Sequence, residues 1–317
     1  MTTNTDANAQ QIINEFEADR KEIYSLRIRN YSTIAGGVTL LVIGLSLGFL
    51  IPGLVIGGIG IITGFVLLNK AKLKEDAYRY QFKHTLLANA LKSIDESLQI
   101  DSRMAMTDAA FIATNLFNQR PDRYHTDDCV YGYAGKTKFS FSEVHAEYKT
   151  EVQTKNGRRT EWHDILKGIV FSADFNKNFS GLTVVRPKDF GGAISSWISN
   201  AIPLFSSSQK AVKLENPEFD NTFLTYSHDQ IEARYILTPA MMERLCALNK
   251  RSRSTISVSF TGSTVHIAFP LSKDYFEPPI TKSLLDPDLL SEDLELIRFM
   301  YGIIQELDLN TRIWGKE

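Results

Sequence analysis

Three polar side chains of the sequence could take part in acid–base chemistry. Asp174 and Lys177 lie in the stretch SADFNKNFSG (172–181), and His163 precedes them. A carboxylate can act as a general base and a lysine ammonium can stabilise negative charge, so a cleft that joined these three residues would be typical of a hydrolase. Asn and Asp also form ordinary turns by hydrogen-bonding their own backbone, and we interpret the stretch as a turn between two strands.

A second cluster, HTDDC (125–129), places His125 and two carboxylates beside Cys129. This spacing of His and Cys matches no known nucleophile arrangement, and the sequence contains no GxSxG, HExxH, Walker or GxGxxG motif on a strand-to-helix turn. No Cys/His spacing typical of zinc occurs either. We therefore expect no metal and no cofactor, and an enzyme is the less favoured class. Cys129 and Cys246 are expected to be reduced thiols, which suits a cytosolic environment.

A third candidate is the segment DFGGAISSWISNAIPLFSSS (189–208), which has no charge between Asp189 and Lys210. On a helix, its apolar residues share one face and its serines fall mainly elsewhere, a pattern typical of a helix in the membrane interface. The residues of that face are Ile194, Trp197, Ile198 and Ile202. A flexible insertion, or one that folds onto the sheet, remains the alternative for 189–210.

The overall composition limits the class of protein. The chain has 317 residues, 43% of them hydrophobic, which is enough for a packed core. Its 35 basic and 37 acidic residues give a formal net charge of −2. Without a basic excess to neutralise phosphates, nucleic acid is not an expected partner.

The strongest pattern is a run without charge between Arg29 and Lys70. Ile34 to Ile51 and Leu54 to Leu68 are mostly apolar. As helices, the first would reach about 27 Å, enough for the hydrocarbon core, whereas the second would reach only about 22 Å and needs Gly53 and Asn69 or local thinning of the bilayer to cross. Pro52-Gly53 between them argues against one continuous helix, and glycines four residues apart allow two helices to approach in lipid. The run therefore predicts a transmembrane hairpin.

The charges on both sides of the run predict its orientation. Basic residues precede and follow it, so the positive-inside rule places both ends in the cytoplasm. Several of these cations would also contact anionic lipid headgroups: Arg27, Arg29, Lys70, Lys72 and Lys74. A re-entrant hairpin and a buried hairpin of a soluble protein remain alternatives. The thirty residues before the run include several acidic residues and are too long for the n-region of a signal peptide, which disfavours a cleaved signal peptide.

Apolar residues recur at helical spacing on both flanks of the run, over 8–30 and 73–100. In the second flank the predicted stripe is Tyr80, Leu87, Leu91, Ile94 and Leu98. We expect two helices that cover this stripe within one chain and form a stalk. A coiled coil that drives homo-oligomerisation is the alternative.

After a further predicted helix that ends before Pro121, the period of the pattern changes to two, which indicates strands. Strands are predicted at 138–152, at 168–185 on both sides of a turn, and in a hairpin at 254–269; Asn156-Gly157 signals another hairpin. Helices are predicted from the Thr238 N-cap and over 291–307. Strands and helices that are segregated in this way favour an α+β fold with antiparallel sheet. A strand group that ends against a helix is similar to pleckstrin-homology modules.

These patterns predict four parts of the chain. Residues 1–30 form an amphipathic helix, 31–69 the transmembrane hairpin, 70–120 the helical stalk, and 121–317 a cytosolic α+β domain that contains the insertion.

Three stretches carry a family resemblance: LKGIVFSADFNKNFSGLTVV (166–185), the segment 213–245, and NTRIW (310–314). They resemble a bacterial membrane-protein family of uncharacterised function, domain of unknown function 3137, and the segment 122–148 after the anchor fits the usual layout of that family. The resemblance implies a protein of the bacterial inner membrane, often encoded near LemA-type membrane proteins. It implies no activity and no site residue.

Three functions remain open from the sequence. The first is a membrane-anchored cytoplasmic scaffold that binds a protein partner, such as a LemA-type protein, or an anionic membrane lipid. The second is a membrane-bound hydrolase that uses carboxylates or His163 and Asp174. The third is a structural membrane oligomer.

Overall fold

The computed structural model describes residues 2–154, 157–175, 178–188, 210–252, 254–286 and 291–310. The chain forms two compact units. The helical unit comprises Met1–Ala90 and Phe276–Asp293, and the sheet unit comprises Leu91–Tyr275 and Leu294–Glu317. The fold is thus α+β, with long apolar N-terminal helices and an antiparallel sheet, as predicted.

The helical unit is built on two long antiparallel helices, α1 (Thr2–Ser46) and α2 (Leu50–Phe82). The turn between them is centred on Gly48, whose φ of 79° is left-handed and therefore suits glycine. The predicted turn at Pro52-Gly53 is wrong. Pro52 lies in the first turn of α2, where its missing N–H would have no partner within the helix.

Glycine permits the close packing of α1 against α2. A Cβ on Gly44 would lie 2.6 Å from the Cα of Gly53, and a Cβ on Gly57 would lie 2.8 Å from the carbonyl oxygen of Gly37. Gly58 faces open space. Small residues therefore line the contact between the helices, as their spacing predicted.

Aromatic and aliphatic side chains pack together at the charged end of the helical unit. Phe16 and Ile23 of α1 pack with Tyr78 and Phe82 of α2 in one buried cluster. The predicted stripe is wrong at Tyr80, which is 59% exposed. Helix α2 continues into a π-helical turn (Lys83–Leu87) and α3 (Ala88–Lys92), so the helical structure ends before residue 100.

The segment after Phe276 returns to this helical pair. The Arg20 guanidinium donates to the carbonyl of Ile280 at 2.7 Å, and the Glu17 carboxylate accepts from the Ser283 hydroxyl at 3.0 Å and from the Leu284 N–H at 2.9 Å. Arg20 and Glu17 also pair with each other at 2.8 Å. A buried ion pair thus fastens residues 280–284 to α1.

The described part of the sheet unit contains one nine-stranded antiparallel sheet with the order β1-β2-β3-β4-β9-β8-β5-β7-β6. Its strands are β1 (Gln99–Asp101), β2 (Arg123–Ala134), β3 (Thr137–Thr154), β4 (Gly157–Asp174), β5 (Leu182–Pro187), β6 (Lys210–Ala211), β7 (Phe223–Ser227), β8 (Ser257–Thr261) and β9 (Thr264–Pro270). Its helices are α4 (Asp108–Ala113), α5 (Pro217–Thr222), α6 (Gln230–Ile236), α7 (Pro239–Arg251) and α8 (Ser291–Glu306), and a 3-10 turn spans Ser102–Met104. The first three residues of α8 belong to the helical unit.

Two predicted hairpins are confirmed. Strands β3 and β4 pair up to Thr154 and Gly157, which agrees with the Asn156-Gly157 signal, and β8 pairs with β9 around Gly262. The two strands predicted over 168–185 exist as β4 and β5 but are not neighbours, because the β8–β9 hairpin lies between them. The helix expected before Pro121 is reduced to the six residues of α4.

Both faces of the sheet are packed. On one face, Val144, Ala146 and Leu166 pack with Phe111 of α4. On the other, the Phe139 and Tyr301 rings are 6.0 Å apart and the Phe269 and Phe299 rings 5.6 Å apart, which places α8 against β3 and β9. Alternate side chains of a strand point to opposite faces of the sheet, so both sets of side chains contribute to the packing.

Candidate functional site

The apolar surface of the α1–α2 hairpin is the most unusual feature of the helical unit. Fifteen large apolar side chains between Val38 and Val66 are close to half exposed or more, with Ile51 at 75% and Ile62 at 66%. Both helices are long and apolar enough to cross a membrane, and only 17% of each apolar window is buried. Water-soluble monomers rarely expose an apolar patch of this extent.

Charged residues begin where this apolar surface ends. The Glu75 carboxylate of α2, nearly buried, pairs with the Arg27 guanidinium of α1 and, at 2.9 Å, with that of Arg79. Arg79 also pairs with Glu277, which accepts from the Lys83 ammonium at 2.8 Å. Alternating charges therefore link α1, α2 and Glu277 in one network.

A cavity of about 390 Å³ opens between α1 and α2 at this level. Its lining includes Arg27 and Tyr31 from α1 and Lys72, Glu75 and Asp76 from α2. Two of the predicted headgroup residues, Arg27 and Lys72, thus face one cavity. Of the others, Lys74 pairs with Glu22, and Arg29 and Lys70 are exposed on the helices outside the cavity lining.

Sequence reasoning missed Glu75, Asp76 and Arg79 in this site. One signal was present: Glu75 occupies a position in the buried series of Ala71, Tyr78 and Phe82, where a carboxylate requires a partner.

The sheet unit carries a second group of polar residues on β3 and β4. The ligand atoms of His145, Glu147 and Asp164 lie within 4.8 Å of one another, and His145 Nε2 is 2.8 Å from Asp164 Oδ1. A β-bulge causes this arrangement. The register shifts between Ala146 and Glu147, so that Glu147 pairs with Asp164 and the extra residue, Ile165, is buried.

These three side chains are of the types that bind divalent transition metals. The Arg123 guanidinium, however, pairs with Glu147 at 3.0 Å and stacks on the Trp162 ring at 3.9 Å. The group is therefore a network of ion pairs in which Arg123 already neutralises one carboxylate.

Glu143 lies next to this group and has a perturbed acidity. Burial raises the pKa of Glu143 to about 7, and the carboxylates of Asp274, Asp128 and Asp127 add to the rise. The Tyr275 N–H, 3.3 Å from both carboxylate oxygens, opposes it. A carboxyl group that titrates near neutral pH is a common feature of functional sites.

The structure does not bring the predicted acid–base residues together. His163 and Asp174 lie on the same strand, β4, eleven residues apart, which corresponds to about 36 Å. His163 accepts or donates a hydrogen bond with Thr150 at 2.8 Å and stacks on Tyr148. Lys177 lies outside the described residues, as do Ile194, Trp197, Ile198 and Ile202.

Both cysteines are buried and free. Burial raises the pKa of each thiol, so neither is activated as a nucleophile. His125 contacts Asp127 at 3.7 Å.

Strands β3 and β4 extend beyond their neighbours. Within the described residues, the part of β3 after Tyr148 and the facing part of β4 pair only with each other. Val152 and Trp162 on this two-stranded arm are about 40% exposed. Val152 is opposite Arg159 and Trp162 is opposite Lys149, so the two side chains point to opposite faces of the arm. The outer edges of the arm pair with no other strand within the described residues, and such edges can bind an extended segment of another chain.

These features define an α+β protein with an exposed apolar helical hairpin and a sheet unit without a convergent catalytic group among the described residues. Residues 164–309 match the family described as "Protein of unknown function (DUF3137)", the family that the sequence was predicted to resemble. The match includes the stretches 166–185 and 213–245 and excludes the hairpin.

Two further comparisons add little. No curated protein matches the chain. The chain is similar to the crystal structure of the mycobacterial trehalose monomycolate transport factor A, TtfA, at 10% identity and a TM-score of 0.25, over 52% of this chain and 75% of that one. A likeness at that TM-score carries no argument about this protein.

Proposed function

We propose that this protein is a membrane-anchored binding protein whose α1–α2 hairpin inserts into a bilayer. The observation that carries the proposal is the apolar surface between Val38 and Val66, which the chain leaves exposed. A hairpin buried in a soluble protein would hide this surface. In the hydrocarbon core of a bilayer the same side chains contact lipid instead of water, so leaving them uncovered by protein carries no hydrophobic cost.

The position of the turn makes both arms long enough to span. With the turn at Gly48, the charge-free part of α1 from Asn30 to Ser46 is about 25 Å long, and that of α2 from Leu50 to Asn69 is about 30 Å long. Both are close to the thickness of the hydrocarbon core. The basic residues at both ends favour a cytoplasmic location for both termini and for the sheet unit, at a bacterial inner membrane.

The binding role rests on two surfaces. Cations at the base of the hairpin are suited to lipid headgroups. The arm of β3 and β4, whose outer edges pair with no other strand within the described residues, is suited to a protein partner, and the family resemblance makes a LemA-type membrane protein the first partner to test. The pleckstrin-homology likeness remains an analogy, because it rests only on strands that end against a helix.

The other functions have less support. A hydrolase that used His163 and Asp174 would need them in one cleft, and about 36 Å of strand separates them. The oligomer would use the same apolar hairpin surface between copies, and crosslinking of the solubilised chain at several concentrations distinguishes it from a monomer.

Vesicle flotation tests the proposal. We expect the purified chain, reconstituted by detergent removal with phosphatidylcholine vesicles, to float with them. Ile62→Lys places a charge on the exposed hairpin face and should reduce flotation at least fivefold. Ile231→Lys is the matched control, because Ile231 is 79% exposed but lies on α6 of the sheet unit. Equal flotation of both variants, or no flotation of the wild type, would refute the anchor.

A further inference from the structure

The cavity between α1 and α2 lies at the boundary between charged and apolar surface. Leu68 lines it on the side of the charge-free run, and Arg27 and Lys72 line it on the charged side. Its volume of about 390 Å³ is within the range of small-molecule sites. In a hairpin inserted as proposed above, this is the depth at which lipid headgroups lie.

The cations of the cavity are not all neutralised by protein. Glu75 pairs with both Arg27 and Arg79, and Arg79 also pairs with Glu277, so Arg27 shares the Glu75 carboxylate with a second guanidinium. The Tyr31 hydroxyl, which is exposed, adds a neutral donor to the same cavity. An anionic group in the cavity would therefore find a guanidinium, an ammonium and a hydroxyl among the lining groups.

Lys72 and Asp76 are two opposite charges whose arrangement indicates the kind of ligand that the cavity suits. They are four residues apart on α2, a spacing at which opposite charges normally attract each other, and both line the cavity. Within the described residues, neither side chain makes an ion pair or a hydrogen bond. Two opposite charges that face one cavity without pairing are suited to a ligand that carries both charges.

We infer that this cavity binds the headgroup of an aminophospholipid, in which a phosphate diester is joined to a primary ammonium. The Lys72 ammonium, the Arg27 guanidinium and the Tyr31 hydroxyl bind the phosphate, and the Asp76 carboxylate accepts hydrogen bonds from the ammonium. A purely anionic headgroup would leave Asp76 facing a phosphate. A choline headgroup has no N–H to donate. The inference depends on the proposed membrane insertion, because the acyl chains would lie along the apolar hairpin.

Native mass spectrometry of the detergent-solubilised full chain tests this inference. Dioleoyl phosphatidylethanolamine, phosphatidylglycerol and phosphatidylcholine are added in separate titrations. We expect phosphatidylethanolamine to be retained about fivefold better than either other lipid, which corresponds to about 1 kcal/mol. Asp76→Asn should abolish the preference over phosphatidylglycerol. Lys72→Gln should weaken retention of both phosphatidylethanolamine and phosphatidylglycerol.

The matched controls are Asp19→Asn and Lys70→Gln, which remove the same charges from exposed positions outside the cavity lining. Both should retain the wild-type preference. Soluble phosphoethanolamine in millimolar excess should displace little lipid, because the acyl chains contribute to binding; full displacement would show a site for a soluble phosphate ester.

Other results separate the two proposals. Equal retention of the three lipids, or an unchanged preference in Asp76→Asn, would overturn the headgroup site even if the chain floats with vesicles. A chain that fails to float would overturn the anchor itself.

Discussion

Gly44 of α1 and Gly53 of α2 face each other so closely that a Cβ on Gly53 would lie 2.9 Å from the Cα of Gly44. Gly57 of α2 likewise faces the backbone of α1, because a Cβ on Gly57 would lie 2.8 Å from the carbonyl oxygen of Gly37. The two apolar helices thus pack backbone to backbone at these glycines, and most of the large apolar side chains between Val38 and Val66 are exposed. This arrangement produces the exposed apolar surface on which the proposed function rests.

Gly57→Leu should weaken the hairpin, because the added side chain would enter the backbone of α1. Overpacking of this kind costs about 1–3 kcal/mol. Gly58→Leu adds the same atoms into open space and is the matched control. Thermal unfolding of the helical signal in detergent compares them. A similar midpoint for the two variants would show that the close packing of α1 and α2 is absent.

Glu17→Gln should destabilise the helical unit, because it leaves the Arg20 guanidinium in a buried position without its carboxylate. Removal of one partner from a buried pair costs about 3–5 kcal/mol. Glu15→Gln changes an exposed carboxylate two residues earlier on α1 and should cost little. The free energy of unfolding in denaturant measures both, and equal losses would contradict the buried pair.

Glu143 should make stability fall as pH rises. Its folded pKa of about 7 exceeds its usual 4.5, so the folded chain binds more protons than the unfolded chain between these two pH values. Glu143→Gln should therefore be more stable than the wild type at pH 8, by roughly 2 kcal/mol, and should flatten the slope. Glu151→Gln, an exposed carboxylate of β3, should leave the slope unchanged. Unfolding midpoints at pH 5 and pH 8 would decide this.

His266 should make stability fall as pH decreases. Burial lowers the pKa of His266 to about 4 from its usual 6.5, and its Nδ1 lies 2.8 Å from the Ser172 hydroxyl oxygen. The unfolded chain then binds more protons between pH 4 and 6.5, so stability is lost as pH falls through this window. His266→Asn should remove this loss, although it should lower stability at pH 7. A variant that keeps the wild-type acid sensitivity would show that His266 is not buried in its neutral form.

Local patterns explain what could be predicted from the sequence. Val258 and Phe260 alternate along β8 after Ile256, which precedes the strand, and all three are buried. The Thr238 hydroxyl caps α7 by accepting from the Met241 N–H at 3.2 Å. These features depend on a few consecutive residues. The glycine contacts of the hairpin were predictable for the same reason.

Non-local pairing explains what could not be predicted. The insertion of β8 and β9 between β4 and β5 pairs residues far apart in the sequence, such as Val185 with Val258 and Gly168 with Pro270, and no turn signal encodes it. The bulge at Ile165 places Asp164 on the face of His145 and Glu147, and a strict alternation of strand residues would have assigned it to the opposite face. The Gly48 turn was missed because Pro52 is a strong breaker inside a helix but is well tolerated in a first turn.

Side-specific labelling of a new cysteine tests membrane insertion most directly. Cys129 and Cys246 are buried, so a cysteine at Phe49, in the exposed turn, or at Lys74, on the charged side, would be the reactive thiol. We predict that a membrane-impermeant maleimide labels Phe49→Cys only from outside intact spheroplasts and Lys74→Cys only in inside-out vesicles. Labelling of both positions from the same side of the membrane would contradict the spanning hairpin.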